Sequence, residues 1–152
     1  MTKPIYFEDF ADVPARRTSG RTITETDVVV HAGHTGDFYP HHVDAHWAAN
    51  SEFGERIAHG TLVLSVGAGL AAGEINPVSF SYGYDRVRFV APVHIGDTIY
   101  VDVEIADRRD DPKRPERGFV DERCRVVTHD GRVVLVFTHV HSVERRRAGE
   151  QA

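Results

Sequence analysis

An α+β fold is what this sequence predicts. Helical patterns fill its first half, strand patterns fill its second, and one apolar run of helix length joins them. That run, Gly60–Ala72, carries Leu62, Val63, Leu64, Val66 and Leu70 on more than one face, the mark of a buried helix. From Ser81 onward apolar and polar residues alternate at period two in about four segments. Helices segregated from hairpin-linked strands indicate α+β, and a lone sheet needs a cover for its apolar face. The buried helix is the obvious one.

Each element follows from local chemistry. Residues 1–20 read as an irregular arm, broken by Pro14, Ser19 and Gly20. Thr24 with Asp27 three residues on is a helix start, and the helix should run through Val28, Val29, Val30 and His31 and stop near Gly33 or Gly36. Gly36 to Val43 contains Pro40 and reads as a loop, after which Asp44 caps a short helix from Ala45 to Asn50. In the central helix Ser65, Gly67, Ala68, Gly69, Ala71 and Ala72 are small, so a sheet can approach its backbone closely. Strands are expected over Ser81–Val90, Thr98–Ile105, Phe119–Thr128 and Arg132–Val143. His129-Asp130-Gly131 is a hairpin turn signal between the last two. Arg108 to Gly118 reads as a charged loop. Residues 1–144 form one expected domain, and 145–152 a polar tail expected to fray.

Composition narrows the function. The formal net charge of -5 argues against a nucleic-acid binder, which carries a basic excess. Cys124 is the only cysteine, so no intramolecular disulfide forms and a reducing compartment fits. The first residues lack the apolar stretch of a secretory signal, and Leu62–Ala72 is too short to span a bilayer, so the chain reads as cytoplasmic. No G-x-G-x-x-G or G-x-x-x-x-G-K-[ST] phosphate loop occurs.

Histidine is the anomaly: there are ten, six of them between His31 and His59. Asp37 and His42 lie in Gly36-Asp37-Phe38-Tyr39-Pro40-His41-His42-Val43-Asp44, where a proline-containing loop can turn both toward one point. A carboxylate and an imidazole around one water could orient it, take its proton and return a proton to carbon, as hydration of a conjugated double bond requires. The start of the buried helix, His59-Gly60-Thr61, offers free N–H groups and a positive dipole end to a developing oxyanion. Gly60 lets a carbonyl come close, and Ser65 could reach the same pocket. On chemistry alone an Asp–His pair in a loop is more often structural than catalytic, Asp44 is a helix cap, His59 a residue of the helix start, and Ser65 as readily a packing residue.

Two rivals carry less. His41, His42, Asp44 and His46 are crowded enough to suggest a metal, yet no ligand motif such as H-E-x-x-H is present, so no metal is expected. Ser65 lacks a G-x-S-x-G elbow and Cys124 falls in a strand, which argues against a nucleophilic hydrolase.

Gly36–Asp44 resembles the G-D-x-N-P-x-H-x-D signature of the MaoC-like dehydratases, which include (R)-specific enoyl-CoA hydratases. Ile57-Ala58-His59-Gly60-Thr61-Leu62-Val63-Leu64-Ser65 looks like that family's helix-opening segment, and Arg88-Phe89-Val90-Ala91-Pro92-Val93 with Gly96-Asp97 resembles its strand and turn. The matches come in the family's order and span roughly residues 20–143. The resemblance implies a hot-dog fold, with an antiparallel sheet around one long helix, and a homodimer. It implies that Asp37 and His42 hold the water, that the Gly60 N–H is the oxyanion donor, and that Ser65 is the family's helix serine. It also implies a 2-enoyl or (R)-3-hydroxyacyl thioester substrate, with coenzyme A entering as part of that substrate and no separate cofactor. Tyr39 replaces the signature asparagine, which bears on substrate preference. Arg86 and Arg88 are candidate contacts to substrate or to coenzyme A phosphates, although a solvated strand face explains them as well. A non-catalytic thioester-binding subunit and a hot-dog thioesterase are the alternatives.

Overall fold

The computed structural model describes residues 3–147. Four helices, α1 (Glu25–Thr35), α2 (Pro40–Val43), α3 (Ala45–Ala49) and α4 (Gly60–Ala72), precede the long strands β3 (Ser79–Phe89), β4 (Thr98–Asp110), β5 (Arg117–Thr128) and β6 (Val133–Glu144). Two short strands, β1 (Arg16–Arg17) and β2 (Arg21–Thr22), come first and pair with β4. All ladders are antiparallel, in the order β1-β4-β5-β6-β3, and α4 packs on one face. The α+β expectation holds.

The sequence signals act as read at several points. The Thr24 hydroxyl accepts from the Asp27 N–H at 3.2 Å, and the Asp27 carboxylate accepts from the Thr24 N–H at 2.8 Å, so both ends of the capping box are closed. Gly36 ends α1 at φ 78°, a left-handed position that favours glycine. The Asp44 carboxylate accepts from the Trp47 N–H at 2.9 Å and caps α3. The turn at Asp130-Gly131 closes with the Gly131 N–H on the Thr128 carbonyl at 2.9 Å.

Four expectations are corrected. The arm of residues 1–20 is partly regular: Phe7–Ala11 forms a 3₁₀ turn whose Phe7 and Phe10 bury against Val120 and Val143. Pro40–Val43, placed in a loop, makes one helical turn, with the proline at a first position where its missing N–H costs nothing. The charged run 108–118 is strand at both ends, because β4 continues to Asp110 and β5 begins at Arg117, and only 111–116 forms the turn between them. Arg109 there pairs with Asp121 across the ladder at 2.5 Å and lies over the Phe119 ring, so the charges solvate the sheet without breaking it. The tail does not fray at its start: Arg146 meets the Asp9 carboxylate at 2.6 Å and Arg145 lies over Phe7. Residues 148–152 fall outside the described residues.

Helix α4 is buried on its sheet side only. Leu62, Val63, Val66, Gly67 and Ala71 face the strands, while Thr61, Ser65 and Gly69 are exposed. Gly67 sits so near β5 that a methyl group there would stand 3.0 Å from Val126. The core joins α4 to Val101, Val103, Cys124, Val126, Leu135 and Phe137. Burial pushes the Cys124 thiol up to about 12 and the His139 imidazole down to about 4, so both are neutral. Among the described residues no helix is long and apolar enough to cross a membrane.

Candidate active site

The left-handed turn at Gly36 sends the chain out of α1 and leaves Asp37 at the mouth of a cleft of about 450 Å³. His42 projects from α2, and Gly60 opens α4 at the same cleft. Phe53, Val63, Phe89, Val90 and Val134 supply apolar walls. Polar atoms converging inside an apolar cleft is the usual composition of a small-molecule site.

His42 is buried, and its Nδ1–H donates to the Ile57 carbonyl at 2.8 Å. That bond assigns the proton to Nδ1 and leaves Nε2 with a lone pair. Burial holds this imidazole below the usual histidine range. The Ile57 hydrogen bond works the other way, and the neighbouring His59 and His41 lower it further. His41 Nε2 stands 2.9 Å from His42 Nε2 and donates to it. The Asp37 Oδ1 accepts from the Tyr39 N–H at 3.2 Å, which fixes the rotation of the carboxylate. Side-chain ligand atoms of Asp37, His42 and His59 lie within 4.8 Å of one another. One water molecule could touch all three, and the same three atoms are of a type that could accept a divalent cation.

His59 is the residue whose role sequence reasoning missed. It is 1% exposed, its ring stacks on His42 with centroids 3.7 Å apart, and its Nε2–H donates to the Asp37 carbonyl at 2.9 Å. It therefore binds the backbone of one member of the pair while bracing the ring of the other. The dense run of histidines and its place beside Gly60 in the helix-opening segment were its signals.

The remaining predicted residues stand elsewhere. Ser65 follows Gly60 by five positions, about 140° around the helix. Its hydroxyl donates to the Thr61 carbonyl at 2.9 Å, facing a separate hollow beside Arg21 and Leu70. Tyr39 is 55% exposed and lies against His41 and Trp47, outside the cleft. Arg86 lines a polar hollow with Asp107, Arg123 and Arg125 on the sheet face away from α4, at a bulge in β3 where its φ is 55°. Arg88 turns back to the Val87 carbonyl. At Gly60 the space of the missing side chain is taken by the Phe89 ring, which would lie 2.8 Å from a Cβ.

The family described as "MaoC like domain" matches residues 8–122. This chain belongs to the MaoC-like family. The (R)-specific enoyl-CoA hydratase of Rhodospirillum rubrum is 32% identical over 130 residues, covering 86% of this chain and 85% of that one. The 3-hydroxybutyryl-CoA dehydratase of Methylorubrum extorquens is 36% identical over 103 residues, 68% of this chain and 65% of its own. Protein MaoC of Klebsiella aerogenes is 42% identical over 97 residues, but the match spans 29% of its length. Among solved structures, the monoamine oxidase regulatory protein from Archaeoglobus fulgidus superposes with a TM-score of 0.87 at 32% identity, covering 95% of this chain and 97% of that one. A Mycobacterium tuberculosis protein with a double hot-dog fold superposes at 0.82 with 21% identity, covering 98% of this chain and 47% of its own, a likeness of fold alone. The MaoC-like chain thus has the hot-dog architecture, its sheet laid against one long helix.

Proposed function

We propose that this chain is a hydratase/dehydratase of 2-enoyl and 3-hydroxyacyl thioesters, with Asp37 and His42 as its catalytic pair. The observation that carries the reading is the convergence of Asp37, His42 and His59 within 4.8 Å at a cleft that also holds the N-terminus of α4. A water takes the place of His41 on His42 Nε2 and gives a second hydrogen to the Asp37 carboxylate. As its oxygen bonds to the β-carbon, its proton passes to Nε2 and the double-bond electrons move into the thioester carbonyl. The first-turn N–H groups of α4, which have no intrahelical partner, receive the resulting oxyanion. His42 then returns the proton to the α-carbon on the same face, so the addition is syn and the atoms balance. Coenzyme A enters as the thiol part of the substrate.

The homodimer expectation belongs to this reading. The edge of β3 away from β6 is unpaired among the described residues, and Phe80, Tyr82 and Tyr84 along the strand are exposed. An apolar open edge of this length is suited to pairing with a second copy. Light scattering should return twice the chain mass.

The test is a panel of enoyl-CoA esters varied in length, branching and charge, followed by loss of the conjugated chromophore. Asp37→Asn and His42→Ala should each lower turnover by about 10²-fold or more while the circular dichroism spectrum stays unchanged. Near-normal hydration by both variants would overturn the mechanism. Release of free thiol would indicate a thioesterase, and binding without turnover a subunit that needs a partner.

A further inference from the structure

We propose that Glu122, His139 and His141 form a divalent-metal site, separate from the catalytic cleft. Glu122 on β5 stands directly across the ladder from His139 on β6, and His141 lies two residues further along β6. Strand residues two apart share a face, so all three project from the side of the sheet that carries α4. They interrupt an otherwise apolar surface. On one side Cys124 and Phe137 belong to the α4 core, and on the other Val120 and Val143 belong to the cluster under Phe7 and Phe10.

Three ionisable groups in such a position call for an explanation, because buried polar groups cost free energy unless fully paired. Glu122 is 8% exposed and His139 is 4% exposed. The pairing is incomplete. His141 Nε2 meets the Glu122 carboxylate at 3.0 Å, and His139 Nε2 meets the Ser81 hydroxyl at 2.7 Å, but His139 Nδ1 is buried with no partner among the described residues. In the tautomer whose Nε2–H donates to Ser81, Nδ1 carries an unused lone pair.

One ligand atom from each residue lies within 4.8 Å of the other two. Zinc bonds of 2.0–2.1 Å place tetrahedral ligands about 3.3 Å apart, so modest side-chain rotation closes the set. Two imidazoles and a carboxylate select a first-row ion such as zinc or cobalt and leave an open position for water. The surroundings supply orientation. Ser81 holds Nε2 of His139, and the Tyr84 ring stacks on the imidazole at 4.5 Å and 18°. The partly exposed His141 gives the ion its way in.

The full chain, stripped with chelator, should take up one equivalent of Co²⁺ with visible d–d bands, and of Zn²⁺ by calorimetry. Glu122→Gln and His141→Gln should abolish that uptake, whereas His42→Ala should keep it. Zinc should also shift the ring-nitrogen resonances of His139 and His141 in the unmodified protein, a readout that does not depend on how well the variants fold. No stoichiometric uptake, uptake lost only with His42→Ala, or unshifted His139 and His141 resonances would each overturn the site and leave an internal histidine–carboxylate pair.

Discussion

Two glycines two residues apart on α4 should respond to the same substitution with opposite signs. Alanine gains about 1 kcal/mol over glycine in a helix interior, and both positions have that gain available. At Gly67 the new methyl would stand 3.0 Å from Val126 Cγ2, 3.6 Å from Phe137 Cε1 and 4.0 Å from Val101 Cγ2. Val126 is fully buried on β5, and β4 and β6 hold that strand from both sides, so it has little room to give. Over-packing a tight core costs about 1–3 kcal/mol, which leaves Gly67→Ala roughly 1 kcal/mol less stable than the parent. At Gly69 nothing lies within 4 Å and the site is exposed, so Gly69→Ala should be more stable by about 1 kcal/mol. Urea unfolding followed by circular dichroism reads both. With a slope near 2 kcal/mol/M, the midpoints should move by about 0.5 M in opposite directions. A Gly67→Ala midpoint at or above the parent, or a Gly69→Ala midpoint below it, would refute the account of how closely α4 lies on the sheet.

Three further outcomes are expected. Tyr39→Asn, which restores the residue of the family signature, should change kcat/KM by less than about tenfold, under about 1.4 kcal/mol, because the ring lies outside the cleft; a panel of thioesters measures this. The His42 imidazole is held below its ordinary value by burial, so its proton-accepting form persists as pH falls through about 6.5 and is lost only lower. The acid limb of the kcat/KM profile should therefore lie below that of an ordinary histidine, and an acid limb above pH 6.5 would contradict this. Cys124, buried with its thiol pushed up to about 12, should resist a disulfide reagent at pH 8 in the folded protein and react fully in denaturant.

Much of the fold was legible because its signals are local. The Thr24–Asp27 box, the Asp130-Gly131 turn and the apolar run of α4 each state their structure within a few residues. The ends of the stretch 108–118 read as loop because their strand character comes from the partner across the ladder, and charges that look like a loop in sequence become a solvated strand face once Arg109 finds Asp121, while 111–116 is the expected turn. The site divides in the same way. Asp37 and His42, read from the signature pattern, and Gly60, read from the helix-opening segment, line one cleft. Ser65 was misplaced by helical rotation alone. His59 was undervalued because its partner is a carbonyl 22 residues earlier, and a backbone group leaves no trace in the pattern of side chains.

The bond from His42 to the Ile57 carbonyl has a partner of its own: the Ile57 N–H returns to the His41 carbonyl at 3.0 Å. Between these two ties the chain runs out through α3 and back, so the segment from Asp44 to Arg56 is a closed excursion with a locked base. Lengthening such an excursion is inexpensive, about 0.6 kcal/mol per doubling of its length. Insertions here should leave Asp37 and His42 in place while reshaping the rim around Phe53. Under the proposed function, the segment is where variation in acyl specificity can accumulate at little cost to the chemistry, and where a library for altered substrates is best directed.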